Sequence, residues 1–261
     1  MNTAENKTVR DELLQILSGF TPIGLKEMEF VHLMSRFDMK YIFHRSQLPS
    51  FLKKLQHDYR ALTIDELPLF KYENLYFDTA ALKSYHDHHN GKSGRYKIRF
   101  RKYSDSDKCY FEVKQKTNKG LTEKARLSVP AFSKELSSQH LDFVQQQLGN
   151  NTFQLVPQIS NNFSRITLVN EKGGERVTID LMINFKNERA ERSLNELVIA
   201  EVKQHHASSL SVFKKLMQSH RIFPTSISKY CLGTLLTHPG IKYNRFKPKL
   251  TILNKICNVV D

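Results

Sequence analysis

The stretch Lys97-Ile98-Arg99-Phe100-Arg101 alternates cationic and apolar side chains. Successive side chains of a β-strand point to opposite faces of the sheet. Lys97, Arg99 and Arg101 therefore share one face, while Ile98 and Phe100 share the other. The stretch predicts a sheet with one apolar face and one strongly cationic face.

The same alternation recurs along the chain, at Arg36–Lys40, Glu112–Lys114, Lys124–Leu127, Arg176–Asp180 and Glu201–Lys203. Followed strand by strand, the cationic face collects Lys40, Lys97, Arg99, Arg101, Lys114, Lys124, Arg126, Arg165, Arg176 and Lys203. The acids of that face are fewer: Asp38, Glu112, Asp180 and Glu201. The bases cannot all be neutralised by these acids, so the face is either ordinary solvated surface or the lining of a site for a polyanion.

The apolar face of this sheet must pack against helices, so a sheet that closes would have its cationic face inside. Unpaired charges in such an enclosure cost several kcal/mol per ion. The interior must then hold water, counterions or a polyanion. An open sheet would leave the same face solvated. We favour a closed tunnel, because about eight strands close well into a barrel.

The predicted elements suit an α+β fold: a closed, antiparallel, eight-stranded β-barrel with helices packed outside. We predict strands at Ser35–Phe43, Tyr72–Asp78, Arg95–Tyr103, Lys108–Thr117, Leu121–Val129, Gln158–Asn170, Glu175–Phe185 and Glu196–His205. We predict helices at Arg10–Leu17, Ser46–Tyr59, Ala80–His88, Ser133–Leu148, Ser208–His220 and Ser226–Leu236. Residues 1–29 are expected to be a leader, 30–238 the tunnel domain and 239–261 a basic tail.

The charge balance supports an anionic partner. The 261 residues include 40 Lys and Arg against 26 Asp and Glu, for a net charge of +14. No apolar run approaches the roughly 20 residues of a membrane-spanning helix. Cys109, Cys231 and Cys257 are far apart, which is typical of reduced thiols in a cytoplasmic protein.

Six motifs in this order resemble the catalytic domain of the vacuolar transporter chaperone (VTC) family, the polyphosphate polymerases. They are Ser35-Arg36-Phe37-Asp38-Met39-Lys40-Tyr41, Asn74-Leu75-Tyr76-Phe77-Asp78-Thr79, Lys97-Ile98-Arg99-Phe100-Arg101-Lys102-Tyr103, Phe111-Glu112-Val113-Lys114, Glu201-Val202-Lys203 and Ser228-Lys229-Tyr230. That family belongs to the CYTH-like triphosphate tunnel metalloenzymes. The resemblance covers roughly residues 30–238 and is closest to a stand-alone prokaryotic form.

The resemblance implies a basic eight-stranded tunnel in which the terminal phosphoryl of ATP is transferred to a polyphosphate chain with Mn²⁺ or Mg²⁺. By motif position, it implies catalytic roles in phosphate binding for Lys40, Arg99, Arg101, Lys114, Lys124, Arg165, Arg176 and Lys229. It implies a phosphate contact for Ser228 and a metal-binding role for Glu201. Face parity adds Lys97, Arg126 and Lys203 as phosphate-binding residues, and Glu112 and Asp180 as further metal ligands. The alternative for Glu112, Asp180 and Glu201 alike is salt bridging to neighbouring cations.

The chain departs from the family pattern at Ser226, where eukaryotic members have lysine, and at Phe163, where tyrosine is common. Triphosphatases of the superfamily have an E-x-E-x-K motif on the first strand. Here Arg36 replaces the first acid, which favours holding a long anion over activating water. A triphosphatase of the same fold stays the alternative.

A non-catalytic module that binds polyphosphate or nucleic acid is a further alternative. Nucleic acid is disfavoured because no recognition helix or zinc pattern is present. The basic residues beyond 238, among them Lys249, leave peripheral association with a membrane partner open, although a solvated tail is preferred. His86-Asp87-His88-His89 lacks a usual metal-ligand spacing, so we expect a solvated helix end there.

Overall fold

The computed structural model describes residues 3–29, 37–106, 108–117, 121–149, 154–204 and 211–257. The helices are α1 (Thr3–Leu17), α2 (Leu25–Glu29), α3 (Leu48–Leu55), α4 (Lys83–His89), α5 (Ser138–Leu148), α6 (Val212–Ser219), α7 (Lys229–Thr237) and α8 (Lys247–Cys257). Short 3₁₀ turns at Arg45–Gln47 and Asn244–Phe246 precede α3 and α8. The strands are β1 (Thr21–Ile23), β2 (Phe37–His44), β3 (Arg60–Leu62), β4 (Leu69–Thr79), β5 (Tyr96–Tyr103), β6 (Lys108–Lys116), β7 (Thr122–Val129), β8 (Leu155–Asn170), β9 (Glu175–Lys186), β10 (Glu191–Leu194) and β11 (Leu197–Gln204).

The long strands form one antiparallel path in the order β2-β11-β9-β8-β4-β5-β6-β7. The short strands extend it, with β10 beside β9, β3 beside β8, and β1 parallel to β3. An antiparallel sheet of many strands with helices is confirmed. Closure by hydrogen bonds is not seen: among the described strands, β2 and β7 end the path without pairing to each other. Part of the β2 edge is instead covered by Thr225, whose N–H donates to the Lys40 carbonyl at 2.7 Å.

The sheet is nevertheless strongly curled. Lys114 lies on β6, near one end of the path, while Lys40 and Glu201 lie on β2 and β11 at the other end. Desolvation lowers the pKa of Lys114, although its side chain keeps access to solvent. The Glu201 carboxylate opposes this shift and the Lys40 ammonium adds to it. Ile42 of β2 and Ile199 of β11 also share one buried cluster with Tyr72 and Tyr76 of β4. Because β2 and β4 are not neighbours in the path, the sheet curves and has a concave surface.

Helices cover the outer, apolar face of the sheet. In α3, Leu48, Phe51, Leu52 and Leu55 recur at helical spacing and are all buried, and Pro49 is tolerated in the first turn. This helix joins α1 and α6 over β2, β11, β9 and β8 in one apolar cluster. Helix α5 covers β5, β6 and β7 in another.

One end of the concave face is apolar and filled. Ile42 and Ile199 lie two residues beyond Lys40 and Glu201 on the same strands, and they pack with Leu232 of α7. Leu250 and Leu253 of α8 belong to the same buried cluster. The concave face is therefore cationic in one part and sealed by α7 and α8 in the other.

Helix α7 lies very close to the sheet because residue 233 is glycine. A Cβ on Gly233 would stand 2.4 Å from Phe185 Cδ1 and 2.6 Å from Ile159 Cδ1, which real packing does not allow. The first turn of α7 is tied to α4 by Asp78, a fully buried residue. The Asp78 carboxylate accepts the Tyr230 hydroxyl hydrogen bond and caps α4 through the Ser84 N–H at 2.9 Å.

Both chain ends differ from the simple expectations of a leader and a tail. Helix α1 begins at Thr3 and buries Leu13, Ile16 and Leu17 against α3. Residues 247–257 form α8, which packs on β2 and β11. The predicted domain limits stay a prediction, but these two segments belong to the packed structure.

Candidate phosphate-binding site

The concave face is organised around three carboxylates, and the first is Glu112 on β6. Its side chain is 2% exposed. Arg99 donates to Glu112 Oε2 from Nε at 2.8 Å and from Nη2 at 2.6 Å, while Lys124 Nζ lies 2.5 Å from Oε1. Burial would raise the pKa of Glu112, but Arg99, Arg101 and Lys124 together hold it well below its usual range. Glu112 thus fixes Arg99 and Lys124 in place while leaving excess positive charge.

The second carboxylate is Asp180 on β9. The Arg165 guanidinium donates two hydrogen bonds to this carboxylate, from Nε to Oδ1 at 2.5 Å and from Nη2 to Oδ2 at 2.8 Å. Lys229, the first residue of α7, also donates to Oδ2. Burial would raise the pKa of Asp180, but Arg165 and Lys229 lower it to about 2. The ion pair between Asp180 of β9 and Lys229 of α7 brings the Ser228-Lys229-Tyr230 motif to the concave face.

The third carboxylate is Glu201 on β11. Lys40 of β2 donates to its Oε1 at 2.7 Å, and Lys203 Nζ lies 3.5 Å from Oε2. Burial would raise the pKa of Glu201, but Lys203 and Lys40 hold it well below its usual range. Burial also lowers the pKa of Lys203 to about 8. Oε2 is the least tightly engaged carboxylate oxygen among these pairs.

Two neighbouring lysines have no carboxylate partner. Lys97 and Lys114 lie opposite each other on β5 and β6, and among the described residues neither amine has an ion pair or hydrogen bond. Burial, followed by the charges of Lys40 and other cations, lowers the pKa of Lys97 to about 8. This pair is where the concave face is least neutralised.

Aromatic rings form the floor beneath the arginines. The Tyr72 ring lies 4.8 Å from Arg165 Cζ and 5.5 Å from Arg101 Cζ, and Phe163 stacks on Tyr72 at 5.2 Å. Lys229 Nζ lies 4.4 Å above the Phe163 ring. These contacts are cation–π in geometry and hold the cations without neutralising them. Phe163 therefore contributes to the site through its ring.

The sequence analysis did not identify Tyr72, Asn74 and Tyr76 as residues of the site. Asn74 accepts Arg101 Nε at 2.9 Å through Oδ1, and Tyr76 OH accepts Arg99 Nη1 at 3.0 Å. The only sequence signal was that Tyr72, Asn74 and Tyr76 alternate along one strand; their pairing with Tyr103, Arg101 and Arg99 is set by the register between β4 and β5. Tyrosines on strands are usually taken as core residues.

The remaining predicted residues lie at the margin. Arg176 is half-buried opposite Lys203, and Arg126 is exposed on β7 with its guanidinium 4.9 Å from the Tyr110 ring. The Ser228 hydroxyl caps α7 by accepting the Cys231 N–H at 3.4 Å. The structure therefore brings together Lys40, Lys97, Arg99, Arg101, Lys114, Lys124, Arg165, Lys203 and Lys229, with Arg126, Arg176 and Ser228 at the edges.

The donor set fits a divalent cation only in a limited way. Across the described ranges, no three His, Cys, Asp or Glu side chains converge as a metal cluster. Cationic side chains contact the oxygens of both Glu112 and Asp180. These two acids therefore form salt bridges, which was the alternative to metal binding. Mg²⁺ needs only one or two carboxylates when phosphates supply further oxygens. Glu201, with its loosely held Oε2, fits that requirement.

The expectation of a solvated helix end at residues 86–89 is wrong. His89 is buried and packs on Phe246 at 5.2 Å. Asp87 is paired with Lys83 at 2.5 Å and Lys92 at 2.9 Å, so its carboxylate contacts cations.

The VTC domain model matches residues 35–238 of this chain, which include the antiparallel sheet and its cationic concave face. The chain belongs to the VTC domain family, which confirms the resemblance of its motifs.

Two solved structures are similar to this chain, and the first of them shares its fold. A Hippeastrum protein described as a candidate adenylyl cyclase with dominant triphosphatase activity matches at 14% identity and a TM-score of 0.52, over 80% of this chain and 100% of that one. A candidate adenylate cyclase from Bacillus halodurans matches at 14% identity and a TM-score of 0.48, over 75% and 96%. No curated protein matches the sequence. Within the described part of the chain, no helix has the length and apolar character needed to cross a bilayer.

Proposed function

We propose that this protein is a polyphosphate polymerase-like phosphotransferase that moves the terminal phosphoryl of ATP onto a polyphosphate chain. The observation that supports this most is the pair of Lys97 and Lys114 without carboxylates, set among cations that outnumber Glu112, Asp180 and Glu201. Such a surface favours a linear string of phosphates. The VTC domain family points to the same polyphosphate chemistry.

Phosphoryl transfer requires little covalent help from a protein. It requires that the phosphates are held in line and that developing charge is neutralised. Arg99 and Arg165 are pre-oriented by Glu112 and Asp180, so little ordering is needed when substrate binds. Arg101 donates Nε to Asn74, which directs its planar fork at phosphate oxygens.

The lysines act as point charges along the chain of phosphates. Lys40 and Lys203 would hold the phosphates near Glu201, and Lys97 and Lys114 those near β5 and β6. When bound, Mn²⁺ or Mg²⁺ supplies neutralisation of charge on the transferred phosphoryl, and Glu201 would hold it. The curled sheet would act as the tunnel, enclosing the phosphates although β2 and β7 do not pair.

A triphosphatase of the same fold is the second candidate, since the same groups would hold a triphosphate for attack by water. Its first-strand acidic pair is reduced here to Asp38, because the other position is Arg36, which lies outside the described residues. Fewer acids weaken the activation of water. We therefore rank the polymerase first.

The test is incubation of the purified protein with ATP and either Mn²⁺ or Mg²⁺. Polyphosphate resolved on a gel, growing with time, supports the polymerase. Free phosphate without polymer supports the triphosphatase. Neither product, together with tight polyphosphate binding, supports a binding module.

A further inference from the structure

One register row of the sheet places three polar side chains side by side: Asn161 on β8, Asn74 on β4 and Arg101 on β5. Asn74 pairs directly with Asn161 on one side and with Arg101 on the other. Residues that lie opposite each other on neighbouring strands share a face, so all three belong to the concave face. Both asparagines are buried, with Asn74 0% and Asn161 3% exposed. Buried amides need hydrogen-bond partners within the protein.

The hydrogen bonds of this row run in one direction, which Arg101 sets. Arg101 Nε can only donate, so the Asn74 oxygen must face it, at 2.9 Å. The Asn74 amide nitrogen then faces Asn161 and donates to its Oδ1 at 2.8 Å. Asn161 Nδ2 is left buried without a hydrogen-bond partner among the described residues, which is unfavourable. The orientation of both amides is thus fixed from the arginine outwards, and the unsatisfied donor lies at the far end of the row.

Arg101 is held differently from the other two arginines of the site. Arg99 and Arg165 each donate two hydrogen bonds to a carboxylate. Arg101 Nε lies 3.9 Å from Glu112 Oε2, which is too far for a hydrogen bond. Within the described part of the chain, Asn74 is the one hydrogen-bond partner of the Arg101 side chain. Nη1 and Nη2 of Arg101 are therefore left to other acceptors.

The charge of Arg101 is also the least neutralised of the three. Burial opposes the charge of every arginine here, but the groups beside Arg99 and Arg165 outweigh burial and raise the pKa of both. For Arg101, burial and the charge of Arg99 prevail and lower the pKa. A guanidinium nevertheless stays protonated in proteins. The neutral amide of Asn74 thus orients a charge that it does not cancel.

We propose that Asn74 and Asn161 are positioning residues that hold Arg101 through a neutral relay, so that this arginine presents Nη1, Nη2 and its full charge to a phosphate group. A carboxylate at position 74 would orient the arginine equally well, but it would also neutralise it. The inference rests on the proposed function and deepens it, because it names the arginine whose charge is kept for substrate.

The test combines calorimetric titration of the full chain with tripolyphosphate and chemical denaturation. Asn74→Asp should weaken tripolyphosphate affinity about tenfold or more, because the new carboxylate pairs with Arg101. The midpoint of denaturation should not fall, since the Asn161 amide can turn its Nδ2 towards that carboxylate. Asn162→Asp is the matched control, because it adds the same charge at an exposed position of the other face of β8.

Neutral variants separate positioning from added charge. Asn74→Leu and Asn161→Leu keep the approximate size of each side chain, and each should weaken tripolyphosphate affinity about threefold to tenfold as Arg101 loses its orientation. In an Arg101→Gln background, neither change should weaken binding further, because no guanidinium remains to be positioned.

The outcomes separate the two proposals. If Asn74→Asp binds as tightly as the Asn162→Asp control, the relay is overturned and the proposed function stands. The same holds if the leucine variants lower the denaturation midpoint but not the affinity, or weaken binding equally with and without Arg101. If wild type does not bind tripolyphosphate, the proposed function fails, and the relay fails with it.

Discussion

Lys97 and Lys114 face each other across β5 and β6 with no carboxylate of the described residues between them. Like charges directly opposite on neighbouring strands are destabilising. The ligand-free protein therefore tolerates an unfavourable arrangement that a polyanion would relieve.

The affinity for tripolyphosphate should fall as pH rises through about 8, the pKa to which burial and neighbouring cations lower Lys97. A bound anion favours the charged amine, so binding near that pH should take up protons. Calorimetry in buffers of different ionisation enthalpy measures this uptake. Proton release, or none, would contradict the assignment.

The same shift predicts a trend in stability without ligand. The folded pKa of Lys97, about 8, is below its unfolded value of 10.5, so the unfolded chain binds more protons between these values. The contribution of this group to the free energy of unfolding should therefore increase as pH rises across that window. In Lys97→Met, denaturant titrations from pH 7 to 10 should show a smaller increase than in wild type.

Arg101→Ala and Lys114→Ala should each reduce turnover by about 100-fold or more, because each removes a donor aimed at charge that develops in transfer. Neither should unfold the protein: Lys114→Ala relieves repulsion among cations, and Arg101→Ala loses one hydrogen bond to Asn74 while relieving the same repulsion. Product formation and thermal melting provide the two readouts. Lys53→Ala is the control, because Lys53 is exposed on α3, outside the concave face. Full activity in both variants would refute the site.

Glu201→Gln should raise the Mn²⁺ or Mg²⁺ concentration needed for half-maximal activity by about tenfold. The change keeps the shape of the side chain but removes the charge that would hold the metal. Metal titrations of activity measure the effect. Glu191→Gln is the control, since Glu191 is exposed and pairs with Lys186 on β9. Identical titration curves for Glu201→Gln and wild type would remove Glu201 from the metal site.

Tyr230→Phe should destabilise the protein by about 2 kcal/mol, because the buried Asp78 carboxylate loses a hydrogen-bond donor. Chemical denaturation measures the change in the free energy of unfolding. Tyr243→Phe, at an exposed position of the same chain, should have almost no effect. A similar small effect at Tyr230 would show that the Asp78 contact is energetically minor.

The sequence alone predicted those features of the site that depend only on neighbouring residues in the chain. Alternation with period two placed Lys97, Arg99 and Arg101 on one face, since strand geometry fixes parity directly. It could not show that Tyr72 and Asn74 lie beneath these arginines, because that depends on the register between β4 and β5. Helix α8 was missed because Lys247, Lys249 and Lys255 gave its segment the composition of a solvated tail.

Curvature was also only partly predictable. The favoured closed barrel followed from strand number, but hydrogen bonding between β2 and β7 depends on distant contacts that no local pattern encodes. The ion pairs of Glu112 and Asp180 were one of two alternatives from sequence. Both acids lie between cations on neighbouring strands, and only the three-dimensional arrangement shows that their oxygens are occupied.

Helix α8 lies beyond residue 238, where the match to the family model ends, yet Leu250 and Leu253 are buried with Tyr230 and Leu232. The packed structure therefore extends past the residues that the family model matches. A chain trimmed at the family boundary would uncover the apolar side of α7 and invite aggregation. Any expression study of this domain should retain the residues through 257.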